Sequence, residues 1–146
     1  MHVECLLNDI ALNYFKTEDI FEEMLSISYV MEWLNEKNVK LYLYYNENNE
    51  DSKDSKNNLV SFAMFTNLKR DPLKIHSKPT YLNYIYTFPK YRRLGFATNF
   101  LLRLKQLEEI TIFSTDDITT NLCIKTGFNF SNKDNLYNQF PIYRYP

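Results

Sequence analysis

Apolar side chains recur along this chain with two distinct periods, and the switch between them marks out the elements. Ile20, Phe21, Met24 and Leu25 form a stripe at helical spacing, which predicts a helix from about Thr17 to Leu25. Thr17 or Asp19 can cap it, and Glu18, Asp19, Glu22 and Glu23 suit the positive end of its dipole. A second helical piece, SYVMEWLNEKN, packs Val30, Trp33 and Leu34 and ends near Asn38. KLYLYYN is aromatic and alternating, so it reads as a strand, and LVSFAMFTN returns as its partner. Between them the run NENNEDSKDSKNN, residues 46–58, holds no core-forming residue and reads as a long polar hairpin loop.

The second half switches period more often. YLNYIYTF begins a strand at Tyr81, which Pro89 closes because proline cannot donate to a ladder. A strong helix follows from Ala97 to about Glu108, with Phe100, Leu101, Leu104 and Leu107 on one face. ITIFS is a short strand. Asp116 or Asp117 then caps a helix through Ile118, Leu122 and Lys125, and Gly127 stops it where a left-handed residue is needed. FNF and LYNQFPIYRY supply terminal strands. The predicted order is β, two helices, three strands, helix, strand, helix and two strands, without internal repeats. It fits one α/β (α+β) domain spanning residues 1–146.

Composition narrows the chemistry. Only two glycines occur, Gly95 and Gly127, where average usage would supply roughly ten. A dinucleotide fingerprint or a Walker-type loop, each needing clustered glycines, is excluded. With 17 basic and 18 acidic residues the formal net charge is −1, so no global field points to nucleic acid. Two cysteines, Cys5 and Cys123, and two histidines, His2 and His76, have neither disulfide-framework nor metal-ligand spacing, and no metal is expected. His76, in an irregular stretch, is expected at the surface. The start MHVECLLNDIAL lacks a basic leader and no run of 18 apolar residues exists, which predicts a soluble cytoplasmic protein without membrane contact. The abundance of Asn, Lys, Tyr and Ile fits an AT-rich genome, viral or parasitic, in which case the compartment is the host cytoplasm.

The most informative segment runs from Ile85 to Ala97, between a strand and a helix. A tight strand-to-helix turn leaves unpaired N–H groups at the positive end of a helix dipole, which together make an anion site. Gly95 allows close backbone approach, Ala97 is small, and Arg92 and Arg93 can add charge-assisted hydrogen bonds. A solvated loop with two surface arginines is the plain alternative.

Arg92-Arg93-Leu94-Gly95-Phe96-Ala97 resembles the pyrophosphate loop of the GCN5-related N-acetyltransferases, Arg/Gln-x-x-Gly-x-Gly/Ala. The strand–Pro–x–Tyr approach before it and ITIFSTDDITTNLCIKTGF after it fit the same family. The resemblance implies a mixed, mostly antiparallel central sheet flanked by helices, with a splay between the fourth and fifth strands. It implies acetyl transfer from acetyl-CoA to an amine, on a small molecule or a protein, by direct attack in a ternary complex, and a monomer or homodimer. Backbone groups of Ile85, Tyr86 and Thr87 would pair with the pantetheine arm. Arg92 and the N–H groups of Arg93, Leu94, Gly95, Phe96, Ala97 and Thr98 would hold the pyrophosphate.

Two positions depart from the family's pattern. Asn83 stands where the family often has a glutamate base, and Tyr81–Phe88 contains no carboxylate. A lysine-like amine is neutral only about once in 2,500 molecules at pH 7, a cost of roughly 4.6 kcal/mol, so proton removal matters. Cys123 stands where the family places its tyrosine acid. Cys123 can donate a proton or fill the core, and Tyr84, Tyr86 or Tyr143 can substitute as the acid. A catalytically inactive fold serving as a CoA-binding or protein-interaction module is the alternative reading. The acidic run Glu18–Glu23 would border the acceptor side.

Overall fold

The computed structural model describes residues 2–46, 58–71, 73–131 and 141–146. The polar run at 47–57, and the first part of the last predicted strand, lie outside these described residues. The elements are β1 (His2–Leu7), α1 (Asn8–Thr17), a 3₁₀ turn (Asp19–Met24), α2 (Ser28–Leu34), β2 (Val39–Tyr45) and β3 (Leu59–Asn67). They continue with β4 (Pro79–Thr87), a short 3₁₀ turn (Pro89–Tyr91), α3 (Phe96–Lys105), β5 (Glu109–Phe113), α4 (Asp117–Lys125), β6 (Asn129–Phe130) and β7 (Ile142–Tyr145). The order of helices and strands is the predicted one.

The first predicted helix is corrected. The helix predicted over Thr17–Leu25 is a 3₁₀ turn, and the first α-helix lies upstream at Asn8–Thr17. Ala11 and Phe15, four residues apart, are both fully buried and seat α1. Glu18 then turns extended (φ −84°, ψ 124°), and Phe21 and Met24, three apart, enter the core at the tighter 3₁₀ spacing. Phe15 and Phe21 stack at 4.4 Å, joining the two pieces. Leu107, expected on the buried face of α3, lies beyond that helix and is largely exposed.

Among the described residues the strands form one sheet in the order β1-β2-β3-β4-β5-β7-β6, antiparallel except for the β4–β5 pair. Both faces are covered, so β3 reads as a nearly continuous buried run rather than an alternation. One face packs Phe15, Phe21, Val30, Trp33, Phe62 and Met64 beneath α1 and α2. The other packs Phe65, Phe100, Leu101, Leu104 and Ile110 beneath α3 and α4. Trp33 Nε1 donates to the Phe65 carbonyl at 2.9 Å and fixes α2 on the sheet. Asp116 caps α4 by accepting from the Thr119 N–H at 2.6 Å. At the other end Gly127 adopts φ +75° while the Phe128 N–H reaches back to the Cys123 carbonyl, a Schellman closure. No helix among the described residues is long and apolar enough to cross a membrane.

His76 is buried, contrary to the expectation of an exposed histidine. Asp71 is the cause. Its carboxylate accepts the N–H groups of Leu73, Ile75 and His76 and pairs with Arg144 of β7 at 2.6 Å. This folds the segment inward and sets His76 Nε2 2.9 Å from the Pro146 carbonyl. Burial pushes the Asp71 carboxyl up, but the hydrogen bonds from His76 and Arg144 outweigh it and hold it well below the usual carboxylate range.

A depressed carboxyl stabilises the fold above its ordinary value, and that stability fades as pH falls toward the folded-state value. Urea midpoints are therefore expected to fall progressively below about pH 4. Asp71→Asn should lose about 3–5 kcal/mol at pH 7 by leaving Arg144 without its carboxylate, and should flatten the acid limb. An unchanged acid limb in the variant would assign that slope to other carboxylates.

Candidate functional site

β4 and β5 run together only over Pro79–Tyr81 and Glu109–Thr111. β4 continues to Thr87, while β5 stays with β7 through Phe113. The strands therefore part after Tyr81, and the β5-facing edge of β4 from Leu82 onward carries no strand partner among the described residues. Within this stretch the β3–β4 register slips, Met64 facing Tyr84 and Phe65 facing Leu82, so that Asn83 sits in a bulge. The Asn83 side chain turns to the α2 face, where Thr66 Oγ1 donates to its Oδ1 at 2.8 Å. The amide NH₂ has no partner among the described residues.

Past Thr87 the chain makes the turn that the sequence marks as an anion site. Arg93 (φ +63°) and Gly95 (φ +83°) both take left-handed backbone, and Gly95 caps α3. A Cβ at Gly95 would meet nothing within 4 Å, so the glycine answers to the backbone angle and the space above it is open. None of the N–H groups from Arg93 to Thr98 makes a hydrogen bond among the described residues, and the first helical bond is Asn99 N–H to the Gly95 carbonyl. Six consecutive donors around the start of α3 are thus without a partner among the described residues.

The two arginines have different tasks. Arg92 Nε donates to the Thr87 carbonyl at 2.9 Å and its guanidinium covers the Tyr86 ring at 5.1 Å, so it splints the loop to β4. The Thr87 carbonyl is thereby occupied. Arg93 is exposed, and its side chain has no partner among the described residues.

On the α2 face of β4, Tyr84 and Tyr86 stack at 6.1 Å beside Phe62, and both are half-buried. Burial, and then Tyr86, push the Tyr84 hydroxyl above its usual value, with Arg92 opposing. Cys123 is on the opposite face, fully buried in the cluster with Phe100, Leu104 and Phe128. Burial pushes its thiol up to about 12. Of the two places the sequence left open for Cys123, its side chain takes the core of the α3–α4 face. Tyr143, the other candidate acid, is likewise buried, with its ring against Phe130.

Four residues were not singled out from the sequence. Tyr81 of β4 and Phe113 of β5 bring their rings to 5.1 Å where the strands part. Burial, then the Glu32 carboxylate and the Tyr29 hydroxyl of α2, raise the Tyr81 hydroxyl. The only sequence signal was the i, i+3 spacing of Tyr29 and Glu32 on a helix whose buried face is set by Val30 and Trp33. An open cavity of about 740 Å³ lies at the far end of the sheet, against Lys40, Lys78, Glu108 and Tyr145, away from the loop.

Solved structures share this arrangement over nearly the whole chain. NAA60 of Arabidopsis thaliana in complex with acetyl-CoA superposes with a TM-score of 0.57 at 14% identity, covering 99% of this chain and 98% of that one. A putative acetyltransferase of the GNAT family from Bacteroides thetaiotaomicron gives 0.58 at 14% identity, covering 99% and 85%. The KacTA–DNA complex gives 0.62 at 8% identity, covering 99% and 93%. The chain has the GCN5-related N-acetyltransferase fold. No family model matches the sequence, and no curated protein matches it. The split between β4 and β5 and the strand-to-helix loop are thus features of a known fold on a divergent sequence.

The two thiols report the packing directly. At pH 8 a thiol reagent should label one cysteine per native chain, the exposed Cys5, and reach Cys123 only after denaturation. Two fast equivalents in the native state would contradict the buried position of Cys123.

Proposed function

We propose that the chain binds acetyl-CoA and transfers the acetyl group to an amine in a ternary complex. The observation that carries the reading is the row of six N–H groups from Arg93 to Thr98 that, like the neighbouring edge of β4, have no partner among the described residues. A pyrophosphate needs several donors and a positive dipole, and this turn offers both, with open space above Gly95 and the exposed Arg93 side chain nearby. An amide-bearing pantetheine arm needs backbone partners, and the β5-facing edge of β4, including the groups of Ile85, supplies them, those of Tyr86 being turned to β3. Arg92 keeps the two parts in register by tying the loop to Thr87. Acetyl-CoA, when bound, supplies the acetyl group on an activated thioester.

The chain's own residues divide the remaining work. Asn83 is no base, because an amide does not take a proton at neutral pH, but its NH₂ can orient a carbonyl at the bulge. Tyr84, half-buried one residue on, is the protic group assigned to return a proton to the leaving thiolate. Cys123 supports the site only by packing beneath it. A second reading, an inert fold retained as a CoA-binding or interaction module, is favoured by one observation: no carboxylate lies on β4 from Tyr81 to Thr87. With a net charge of −1, nucleic acid is not proposed as a partner.

Calorimetric titration with acetyl-CoA tests the loop. Gly95→Asp places a carboxylate among the phosphate-facing donors and should weaken binding by roughly tenfold or more, given the charge-assisted bonds at stake. Equal binding by wild type and Gly95→Asp would remove the loop from the site. Acceptor-dependent CoA release across a panel of amines separates enzyme from inert module. Tyr84→Phe should lower that turnover by about 10²–10⁴-fold while leaving acetyl-CoA affinity unchanged.

A further inference from the structure

The cavity of about 740 Å³ at the far end of the sheet is lined by no residue of the turn at 92–98. A buried carboxylate forms part of its wall. Glu108 follows α3, and its side chain is only 6% exposed. Lys40 Nζ of β2 donates to Glu108 Oε1 at 2.6 Å, and the Tyr42 hydroxyl donates to the same oxygen at 2.5 Å. Burial, and then Glu108 itself, push the Tyr42 hydroxyl well above its usual value, which keeps it a donor. Oε1 therefore holds two donors, whereas Oε2 has no hydrogen-bond partner among the described residues. So deeply buried a carboxylate on a cavity wall has room for a further donor, and gains from one.

The rest of the wall adds a cation and an apolar surface. Lys78 is exposed, and its ammonium has no partner among the described residues, while its backbone N–H donates to Glu109. Lys105 is held elsewhere: its ammonium donates to the Thr126 carbonyl at 2.5 Å and lies 4.0 Å over the Tyr145 ring. Leu68, just after β3, and Leu107, just after α3, are 39% and 48% exposed, and both line the cavity.

This wall sorts ligands by charge and shape. A simple anion is drawn to Lys78 but repelled by Glu108 and Glu109, and a simple cation suits Glu108 but meets Lys40 and Lys78. A neutral hydrocarbon covers the leucines and leaves Oε2 without a donor. An ammonium, a carboxylate and an alkyl group on one carbon satisfy all three surfaces. We propose that this cavity binds a free aliphatic α-amino acid, its ammonium donating to Glu108 Oε2, its carboxylate facing Lys78 and its side chain covering Leu68 and Leu107. The site is separate from the split between β4 and β5, and its occupancy requires no acetyl-CoA.

The test is an NMR titration of the chain without cofactor, at pH 7 and constant ionic strength, following the backbone amides of Leu68, Lys78 and Leu107 as L-leucine is added. Two controls each lack one charge: isoamylammonium has no carboxylate, and isocaproate has no ammonium. Saturable shifts of the three amides are expected with L-leucine, and roughly tenfold weaker binding with either control. Lys78→Gln should weaken L-leucine roughly threefold to fivefold, as the loss of an exposed ion pair does. Glu108→Gln, which keeps an oxygen for Lys40 and Tyr42, should weaken it roughly tenfold. Lys78 is exposed, so its variant should keep the wild-type backbone spectrum and decides the matter if Glu108→Gln does not fold. Absence of saturation in wild type, a control that binds as tightly as L-leucine, or unchanged affinity in Lys78→Gln would overturn the proposal. Shifts confined to residues 93–98, or to Asn83 and Tyr84, would also overturn it by putting the amino acid in the split. Calorimetry without acetyl-CoA binding strikes the transfer reading alone and leaves this site standing.

Discussion

Two parallel strands that stay together for three residues and then part leave a row of backbone donors and acceptors without a strand to bond. In this protein that divergence begins after the Tyr81–Thr111 pair, and the rest of the site is arranged around it. The joint is pinned from below. Thr80 Oγ1 donates to the Glu109 carbonyl at 2.8 Å, and Ser77 and the Lys78 N–H both reach the Glu109 carboxylate. Above the joint each strand has a better partner on its far side, β3 for β4 and β7 for β5. The bulge at Asn83 adds local twist to β4 at the same height. Open backbone edges are expensive to bury dry, so such a split persists where water or a ligand can reach it.

The sheet also decides which residues can meet. Cys123 packs with Phe100 and Phe128 on the α3–α4 face, whereas Asn83 and Tyr84 turn to the α2 face. A sequence alignment by motif sets these residues side by side as candidates for one reaction. The sheet puts a layer of backbone between them. The apolar company of Cys123 buries its thiol and pushes it up, as a small core side chain would be. Arg92 shows a similar redistribution: a cation available in principle to an anion is held by Thr87 and Tyr86, and the exposed charge without a partner among the described residues is its neighbour Arg93.

Much of the fold was legible because its signals are local. The β2 and β3 strands announce themselves through aromatic and branched residues, Asp116 and Gly127 bracket α4 through capping chemistry, and the turn at Arg92–Ala97 carries its own backbone requirements. The first helix was misplaced because Asp, Glu and apolar residues at Thr17–Leu25 satisfy helical spacing as well as 3₁₀ spacing. The contact that decides between them, Phe15 stacked on Phe21, depends on where the sheet runs. His76 was misread for a related reason. Its burial follows from Asp71 and Arg144, two charges that are 73 residues apart and invisible as a pair until β7 joins the sheet.

By itself the sequence determined the order of elements, the strand-to-helix turn before α3 and the place of both glycines, since each rests on propensities and dihedral needs that act within a few residues. Which face of the sheet each side chain occupies was decided only by tertiary structure. A single bulge or register slip reverses that assignment without changing composition or local pattern. The meeting of the Tyr81 and Phe113 rings where β4 and β5 part belongs to this second kind. It arises from strand pairing and divergence, which are properties of the packed sheet and of no single segment.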